Sequence, residues 1–544
     1  MGIEQLDKQD WVVTKVLARQ AECQGDRPFF QIQDEPPVTY AQADAAGNRV
    51  ANGLAALGVA FGDKVGVMLP NIATYNFCWF GISRLGAVHV AINTAYRGIF
   101  LEHVLNNAQT RFVILHKDYL ERLEEIEDAV PGVELALVVG GDEGAWPQMK
   151  RIRVQPFEPV LDASAEPVAV EVRYHDIGCI MYTSGTTGPS KGVLMPHAHL
   201  YMFGLGTAEN FQMTPDDVYY ISMPMFHANA KLMQFCGTLV AGAKAVIVPV
   251  FSASRWVEDV RKYGATITNT LGVMTEFVYN QPPKPEDADH KLKRVVAIPA
   301  PADIAEPFRE RFGVRLIEAY GMTEINIPVY TPLEGPYKQG SCGKVYDKYF
   351  EVRVVHPETD ELLPPGEQGE IVARPKEPWA FMQGYNAMDD KTVEAWRNFW
   401  FHTGDAGYMD EDGYFFFQDR IKDRIRRRGE NISSYEIEKV LGEHEAVAEA
   451  AAIAVTSEIA GREDEIKACI VLREDARGDN APKPETLLDY CQGRMPYFAI
   501  PRYIEFLDAL PKTPTEKVQK AKLREAGLTP NTWDRESVGY QVKR

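Results

Sequence analysis

The sequence predicts an α/β fold in which a large N-terminal domain precedes a smaller C-terminal domain. Short apolar runs alternate with segments of helical periodicity in the N-terminal half, as in the strand-like residues 64–69 and 87–92 on either side of the helix-like residues 75–85. A chain of 544 residues also exceeds what one hydrophobic core usually holds. The alternation predicts parallel strands flanked by helices, with ligands bound beyond the carboxyl ends of the strands.

The same periodicity predicts further strands before the middle of the chain and just beyond it. They are residues 111–115, 177–181, 218–222, 244–249, 265–268 and 314–317. A helix is predicted between 244–249 and 265–268, because Trp256, Val257, Val260 and Tyr263 recur at helical spacing.

Residues 340–417 differ from the rest in being rich in β-branched and aromatic residues with frequent Gly and Pro, which predicts a small β-rich unit. Residues 410–413 predict a hairpin turn within it. The charged run 420–424 then separates a last segment, where a helix cap near Ser433 and strands at 450–455 and 466–472 predict an α+β domain. We therefore expect an N-terminal domain at 1–421 and a mobile C-terminal domain at 422–544.

Composition narrows the class of protein. With 45% hydrophobic and 25% charged residues, the chain has the balance of a soluble globular protein. A net charge of -19 argues against nucleic acid or an anionic membrane as a main partner. The seven cysteines contain no CxxC pair, which predicts reduced thiols and a cytoplasmic location. No signal peptide, membrane span or zinc-ligand spacing is expected from the sequence.

Residues 182–192, Tyr-Thr-Ser-Gly-Thr-Thr-Gly-Pro-Ser-Lys-Gly, carry the clearest chemical signal. Glycines and small hydroxyl residues after a strand let N–H and O–H groups converge on an anion, and Lys191 adds a positive charge. No Gly-Lys-[Ser/Thr] closes the segment, so it is not a Walker A loop. By composition alone an ordinary solvent loop is about as good an interpretation; the alternative is a site for a polyphosphate.

Three later strings have weaker signals of their own. Residues 318–324 follow a predicted strand and, as a loop at its end, could bring together an aromatic ring, a hydroxyl and a carboxylate, which suit adenine and a magnesium ion. Taken alone, the string is more simply an exposed turn with a solvated Glu324. Asp405 could accept both hydroxyls of a ribose, but alone it reads as a surface charge, as does Arg420. A lysine near the C-terminus such as Lys517 usually faces solvent.

Taken in order, these strings resemble the adenylate-forming superfamily of acyl- and aryl-CoA synthetases, peptide-synthetase adenylation domains and luciferases. The resemblance implies that Tyr320 lies against adenine, Asp405 binds the ribose and Lys517 is the adenylation lysine. Glu516 departs from the family pattern, which has glycine there. The ATP-binding residues implied are Thr183, Ser184, Gly185, Thr186, Thr187, Gly188, Lys191, Tyr320, Gly321, Thr323, Asp405, Arg420 and Lys517. The implied Mg²⁺ ligands are Glu324 and Thr186, and the implied catalytic residues are Lys517, Glu324 and Thr183.

The resemblance also implies a site for the second substrate, coenzyme A. His227, which on its own is most simply a packing residue, would line both an acid pocket and a thiol tunnel. Residues Arg428, Gly429 and Glu430 would line that tunnel, although Arg428 stands where a second glycine is common. The arginine run could instead be a solvated surface or a site for the 3′-phosphate of coenzyme A. Lys422 matches the family's hinge.

The acid pocket implied by the resemblance contains His227, Ile298 and Ala300. Residues 298–302 stand where many relatives have a glycine-rich strand, and the bulk of Ile298 and Pro299 weighs against a tunnel for a long-chain fatty acid. The closest resemblance is to carnitine/crotonobetaine-CoA ligases, through residues 77–81, 216–220, 428–433 and 464–468. Those strings belong to the scaffold and the nucleotide side, so they do not identify the acid.

The predicted function is therefore an ATP-dependent, AMP-forming acyl-CoA synthetase with Mg²⁺ as cofactor. Its partners would be a small carboxylic acid, ATP and coenzyme A, and a homodimer is left open. Two alternatives remain at this point: an adenylate-forming enzyme with another acceptor, such as a carrier protein or the oxygen of a luciferase-like reaction, and a non-catalytic nucleotide-binding protein.

Overall fold

The fold is taken from a computed structural model. It describes residues 6–183, 189–301, 304–335, 338–420, 425–427, 430–432, 434–456, 464–511, 518 and 520–543, with the backbone alone at residues 273, 418–420, 426, 431, 435, 479 and 521. No helix in these ranges has the length and apolar character needed to cross a membrane.

The strands and helices are numbered in chain order. The strands are β1 (Pro28–Ile32), β2 (Val38–Thr39), β3 (Lys64–Met68), β4 (Val88–Ala91), β5 (Phe112–His116), β6 (Leu135–Val139), β7 (Arg153–Pro156), β8 (Ile177–Thr183), β9 (Lys191–Pro196), β10 (Val218–Ile221), β11 (Lys244–Ile247), β12 (Ile267–Leu271), β13 (Arg294–Ile298), β14 (Leu316–Ile317), β15 (Ala319–Met322), β16 (Asn326–Tyr330), β17 (Lys344–Val345), β18 (Phe350–Val355), β19 (Gly369–Pro375), β20 (Gly384–Tyr385), β21 (Trp396–Arg397), β22 (Trp400–Met409), β23 (Phe415–Arg420), β24 (Ile425–Arg427), β25 (Glu430–Ile432), β26 (Val447–Thr456), β27 (Asp464–Leu472), β28 (Tyr503–Phe506) and β29 (Trp533–Asp534). The α-helices are α1 (Val13–Gln24), α2 (Tyr40–Ala56), α3 (Ala73–Arg84), α4 (Gly98–Asn107), α5 (Leu120–Glu124), α6 (His197–Asn210), α7 (Cys236–Ala241), α8 (Trp256–Lys262), α9 (Gly272–Tyr279), α10 (Ala305–Phe312), α11 (Asp389–Ala395), α12 (Ser434–Gly442), α13 (Pro484–Cys491) and α14 (Lys520–Ala526). A π-helix spans Asn229–Phe235.

Two mostly parallel sheets form the N-terminal part of the molecule. One has the order β20-β9-β8-β4-β3-β5-β6-β7, and the other has the order β14-β13-β12-β10-β11-β1-β2. Strands such as β4 and β11 are apolar along most of their length, because helices cover both faces of a parallel sheet. The expected α/β class is confirmed, and the predicted strands differ from the observed ones by a few residues at their ends.

Helix α3 shows how the two sheets are held together. It is apolar on nearly every side, and Tyr75, Trp79 and Phe80 are fully buried within the main core. A helix without a polar face belongs inside a domain rather than on its surface. Helix α2 packs on it at close range, since a Cβ on Gly81 would stand only 2.4 Å from Val50.

A smaller antiparallel sheet follows, with the order β18-β19-β22-β21 and β23 paired to β22. The turn between β22 and β23 is closed by Asp410, whose Oδ1 accepts hydrogen bonds from the backbone N–H groups of Asp412 and Tyr414 at 3.0 and 2.9 Å. Gly413 adopts φ +80°, which suits glycine. This β22–β23 pairing sets Asp405 directly opposite Arg420.

The C-terminal part is built on the sheet β26-β27-β28-β29, with helix α12 against β26. It packs on the start of α4, where Phe100 joins the C-terminal apolar core and Tyr96 and Ile99 pack beside it. Gly98 allows this approach, since a Cβ there would stand 2.8 Å from the carbonyl oxygen of Arg494. The larger N-terminal and smaller C-terminal parts agree with the expected organisation, while the boundary at Lys422 stays a prediction.

Candidate active site

The predicted phosphate segment connects the two strands of a hairpin. Strand β8 ends at Thr183 and β9 begins at Lys191, and these two residues face each other across the antiparallel pair. The chain turns straight back after β8, so that this part of the mostly parallel sheet is antiparallel. The hairpin brings together Thr183 and Lys191, two of the predicted site residues, on either side of residues 184–188.

At the Thr183 end, a buried carboxylate accepts hydrogen bonds from two hydroxyl groups. Oε1 of Glu324 accepts hydrogen bonds from Oγ1 of Thr183 at 3.1 Å and from the hydroxyl of Tyr385 at 3.0 Å. Only 4% of Glu324 is exposed. Lys191 completes the group, because its Nζ lies 4.5 Å from the centre of the Tyr385 ring. The structure therefore brings together three of the predicted site residues and adds Tyr385.

The surroundings of Glu324 fit a magnesium ligand. Its hydrogen-bond donors are neutral hydroxyls, and no ion pair with a basic side chain is found for it in the part of the chain that the structure describes. A buried carboxylate without a cationic partner is a hard oxygen ligand of the kind that Mg²⁺ accepts, usually together with substrate phosphates and water. Within the described residues no cluster of three acidic, His or Cys side chains could hold a metal by itself.

A second polar group lies where the small sheet meets the hairpin β15–β16. The hydroxyl of Tyr320 donates to Oδ2 of Asp405 at 2.8 Å, and both residues are buried. The Tyr320 ring stacks on Phe417, with 6.2 Å between ring centres. Arg420 pairs with Asp405 across the strands. The backbone of Arg420 therefore lies beside this aromatic ring and carboxylate.

Residues 318–324 were expected to form a loop, and the structure corrects this. Residues Ala319–Met322 form β15 and pair with β16, so that Tyr320 is fixed by strand register. Gly321 has to be small, since a Cβ there would stand 2.1 Å from the carbonyl oxygen of Asn326. Only Thr323 and Glu324 lie in the turn. Strand β16, the partner of β15, comes directly after this segment in the sequence. A search that looks only for the ends of strands does not detect such a pairing.

His227 lies against the C-terminal part of the chain. Its Nε2 is 3.2 Å from Glu430, which is also 3.5 Å from Nδ2 of Asn93. Burial acts to lower the pKa of His227, but the charge and hydrogen bond of Glu430 outweigh it and the pKa is raised. The predicted tunnel residues His227 and Glu430 are thus in direct contact.

Ile298 and Ala300 occupy different surroundings. Ile298 ends β13, beside Leu271 of β12, and is half-buried. Ala300 is buried in the apolar cluster of Trp256 and Phe308. Ile298 therefore lies at the carboxyl end of the sheet, where a pocket is expected, while Ala300 contacts the layer beneath it. Their roles in the acid pocket stay predictions.

Comparison with known proteins identifies the family. Residues 17–386 match the AMP-binding enzyme family, and residues 436–517 match the AMP-binding enzyme C-terminal domain. The chain belongs to the AMP-binding enzyme family. A crotonobetaine/carnitine–CoA ligase of Salmonella paratyphi B is 31% identical over 499 residues, which cover 89% of this chain and 93% of that protein.

Solved structures of the same kind superpose on nearly the whole AMP-binding enzyme. A double mutant of o-succinylbenzoate CoA synthetase from Bacillus subtilis, bound with a product analogue, has a TM-score of 0.80 at 25% identity and covers 95% of this chain and 98% of its own. The anthranilate CoA ligase AuaEII with anthranoyl-AMP has a TM-score of 0.71 at 26% identity, with 97% and 99% covered. The predicted class, an AMP-forming acid–thiol ligase, is confirmed.

Several predicted residues of this AMP-binding enzyme lie outside the described residues. They are Ser184, Gly185, Thr186, Thr187, Gly188, Lys422, Arg428, Gly429 and Lys517, and the side chain of Arg420 is likewise outside them. Their roles stay predictions from the sequence.

Sequence reasoning also missed site residues. Tyr385 reaches Glu324 because the two-residue strand β20 pairs with β9, which is far away along the chain. Ser190, at the far end of the phosphate segment, is 2% exposed and gives two hydrogen bonds to Glu436 of α12. No periodicity signals either contact. The one available signal for Glu436 was its place in the first turn of a capped helix, which indicates a helix start and not a site.

Proposed function

We propose that this site converts a carboxylic acid and ATP into acyl-AMP and pyrophosphate, and then transfers the acyl group to coenzyme A. In the first step a carboxylate oxygen attacks the α-phosphorus and the bond to pyrophosphate breaks. In the second step the thiol sulfur attacks the acyl carbon, and AMP leaves. The observation that supports this best is the gathering of Thr183, Lys191, Glu324 and Tyr385 around the ends of residues 184–188.

Each group has a role that follows from its chemistry. Asp405 would accept the ribose hydroxyls, with the Tyr320 hydroxyl holding its carboxylate in place. Lys191 and the hydroxyls of residues 184–188 would hold the β- and γ-phosphates. When bound, Mg²⁺ supplies positive charge beside the phosphate oxygens, and Glu324 and Thr186 would be its protein ligands. Lys517 would contact the carboxylate and α-phosphate oxygens in the transition state.

The protein contributes position and charge, and the reaction needs no covalent enzyme intermediate. His227 would line the path from the acid to the thiol. The tunnel would be bounded on its other side by Glu430, in agreement with their contact at 3.2 Å. Both half-reactions would then take place at the same acyl-phosphate centre. ATP would bind there against the N-terminal part, and coenzyme A would enter past the C-terminal part.

We propose further that the acid carries an oxygen or nitrogen acceptor away from its reacting carboxylate. Asn229 follows His227 by two residues and is half-buried. Its Oδ1 accepts from Gln234 at 2.8 Å and from Asn269 at 2.9 Å, which fixes the amide. Its Nδ2 donor has no protein acceptor among the described residues. Because Asn229 is so near His227 in the sequence, we assign this fixed donor to the acid pocket, where it would favour an acid that can accept its hydrogen bond.

Matched pairs of acids test this. Each pair shares a carbon skeleton and differs in one hydroxyl, keto or ring-nitrogen acceptor; hydroxylated betaines, aryl acids, alicyclic acids and fatty acids make up the panel. We expect at least about 10-fold higher kcat/KM for the acceptor-bearing member, and loss of that preference in Asn229→Leu. An equal preference in both proteins would remove Asn229 from the pocket.

Two substitutions test the assignment of the half-reactions. Lys517→Ala should abolish acyl-AMP formation and spare thioester formation from supplied acyl-AMP. Lys422→Pro should do the reverse, because proline fixes φ at the predicted hinge. Equal loss of both half-reactions in both variants would contradict a C-terminal domain that presents two faces in turn.

The setting of the enzyme is also part of the proposal. We infer a cytoplasmic location, because the cysteines among the described residues are free thiols. Sedimentation analysis would decide between a monomer and a homodimer, which the sequence leaves open.

A further inference from the structure

Glu370, a residue of β19, contacts the strand that carries the proposed ribose ligand. It is 6% exposed. Its Oε1 accepts a hydrogen bond from the backbone N–H of Gly404 at 3.0 Å. Gly404 immediately precedes Asp405 in β22. The proposed reaction steps use neither Glu370 nor Gly404.

This contact occurs where the pairing of β19 with β22 is irregular. Beyond the pair Glu370–Ala406, one residue of β19 lies opposite three residues of β22, which are residues 403–405. Gly404, in the middle of the three, has φ +70°, which glycine adopts readily. A bulge of this kind bends its strand and redirects the side chains in it. The direction of the Asp405 side chain is therefore set by the bulge and not by regular alternation along the strand.

Two side chains hold the bulge. Oγ1 of Thr403 donates to the carbonyl oxygen of Ile371 at 2.6 Å and accepts from the N–H of Asp405 at 3.1 Å. Glu370 accepts from the N–H of Gly404, so two consecutive backbone donors of the bulge are satisfied by side chains. Without the Glu370 carboxylate, the Gly404 N–H would have to find another acceptor, and the conformational freedom of glycine would let the backbone move to find one.

The other oxygen of Glu370 fixes the carboxylate itself. Oε2 lies 2.9 Å from Nδ1 of His402 and 3.5 Å from Nη2 of Arg397. The His402 side chain is buried, and Arg397 is held in turn by Asp360 at 2.9 Å. Glu370 is therefore anchored through one oxygen and holds the bulge with the other, which is how a supporting residue orients a functional group.

From this arrangement we propose that Glu370 is a positioning residue for the ribose of ATP. By holding the bulge it directs the Asp405 carboxylate, whose Oδ2 accepts from Tyr320 at 2.8 Å, toward the two ribose hydroxyls. Accepting two hydroxyls at once depends on direction as well as charge, so a carboxylate that can swing loses part of the interaction. This inference rests on the proposed function, because it takes Asp405 to be the ribose ligand.

The test compares ATP with 2′,3′-dideoxy-ATP, which lacks both ribose hydroxyls, in acid-dependent pyrophosphate release. Glu370→Ala removes the acceptor of the Gly404 N–H, and Glu370→Gln keeps an acceptor oxygen there. Gly404→Ala acts on the bulge from the backbone, because φ +70° strains alanine. The control is Glu351→Ala, since Glu351 lies on the neighbouring strand β18 of the same sheet and pairs with Arg374 at 2.9 Å.

The unaltered enzyme should prefer ATP about 100-fold in kcat/KM, since two hydrogen bonds to a charged group are lost with the hydroxyls. We expect Glu370→Ala to reduce this preference to about 10-fold, through a higher KM for ATP at nearly unchanged kcat. Its kcat/KM for the dideoxy nucleotide should stay within about twofold of the unaltered enzyme. Glu370→Gln should restore most of the preference, Gly404→Ala should lower it about threefold, and Glu351→Ala should leave it unchanged.

A double-variant comparison shows whether Glu370 acts through Asp405. Asp405→Ala should itself abolish most of the preference for ATP. Adding Glu370→Ala to that variant should change the remaining preference by less than about twofold, because the carboxylate to be positioned is gone. A further large loss in the double variant would mean that Glu370 acts by another route, which contradicts the inference.

An unchanged preference in both Glu370→Ala and Gly404→Ala would overturn the inference, as would an equal loss of activity with both nucleotides in Glu370→Ala, which a merely structural role predicts. If Glu370→Ala fails to fold, the preference of Gly404→Ala decides alone. The proposed function fails in a different way. Equal use of both nucleotides by the unaltered enzyme would remove Asp405 from the ribose site and the inference with it, and no acid-dependent pyrophosphate release from either would refute adenylation itself.

Discussion

The two ends of the phosphate segment are held by carboxylates from different parts of the molecule. At the Thr183 end, Glu324 belongs to the same N-terminal unit as the strand it contacts. At the Ser190 end, Glu436 comes from helix α12 of the C-terminal part. One carboxylate is fixed by neighbouring strands, and the other arrives with a unit that has its own core.

This difference separates two tasks that lie within a few residues of each other. A metal ligand, the role proposed for Glu324, has to stay in place through the reaction, and the strands β8 and β15 beside it are fixed by pairing. Glu436 belongs instead to a unit with its own apolar core, so its contact with Ser190 does not depend on the pairing of the N-terminal strands. The substitutions that follow either break this contrast or sharpen it, in order of decreasing expected effect.

The largest effect is expected for Glu324→Gln. It keeps the size of the side chain but removes the charge that would hold Mg²⁺ at the Thr183 end, so acyl-AMP formation should fall about 10²-fold or more. Acid-dependent pyrophosphate release measures it, with and without excess Mg²⁺. The control is Glu334→Gln, an exposed glutamate nearby in the sequence. A rate within about twofold of the unaltered enzyme would show that the two ends do not differ as described.

Tyr385→Phe should have a moderate effect at the same end. It removes the hydroxyl that donates to Glu324 at 3.0 Å and keeps the ring beneath Lys191. A drop of about 10-fold in acyl-AMP formation is expected, since one hydrogen bond to a charged group is lost. Tyr408→Phe serves as control, because its ring also stacks in a neighbouring sheet. Equal rates in both variants would exclude Tyr385 from the site.

Ser190→Ala is a milder change, at the Ser190 end of the phosphate segment. It removes the hydroxyl donor to Glu436 and leaves the backbone N–H, so thioester formation should slow about threefold with little change in acyl-AMP formation. Separate assays of the two half-reactions measure this, with the exposed Ser164→Ala as control. A larger loss in acyl-AMP formation than in thioester formation would place Ser190 with Thr183, and the contrast between the ends would fail.

The smallest effect on activity is expected for Lys231→Met in the core. Lys231 is fully buried, 3.0 Å from Nδ1 of His89 and over the ring of Trp79, and burial lowers its pKa to about 8. The unfolded chain therefore binds more protons between about pH 8 and 10.5, and the unaltered protein gains stability as pH rises through that window. Methionine removes the cost of burying the charge.

We expect Lys231→Met to raise the free energy of unfolding at pH 7 by about 1 kcal/mol, after the lost cation–π contact is subtracted. The gain should shrink toward pH 10, and the rate of thioester formation should stay unchanged. Thermal unfolding at several pH values measures the gain in stability, and the thioester assay measures the activity. A gain that grew with pH would mean that Lys231 is held as a cation by a partner outside the described residues.

The parallel sheets and the order of the site segments could be predicted from the sequence, because both depend on short local patterns. Apolar runs such as 64–69 are strands in any α/β protein, and residues 182–192 carry their chemistry in one continuous string. Even the hairpin turn at Asp410 follows from residues that hydrogen-bond locally.

The contacts that complete the site could not be predicted, because they depend on pairing between distant segments. Tyr385 reaches Glu324 through a strand of two residues, too short for any periodicity. Glu436 meets Ser190 only because Phe100 and its neighbours bring the C-terminal core against α4. Tyr320 was expected in a loop, and strand register set by Gly321 fixes it instead. Such contacts follow from packing, which the local sequence does not encode.

The most direct test of the central claim is a product analysis of the purified enzyme with ATP, Mg²⁺ and an accepted acid. Without coenzyme A, the enzyme should accumulate acyl-AMP and pyrophosphate in equal amounts. Adding coenzyme A should convert that acyl-AMP to thioester and AMP. Formation of ADP and phosphate, or of thioester without acyl-AMP, would contradict a site in which the phosphate segment and the C-terminal part act in turn.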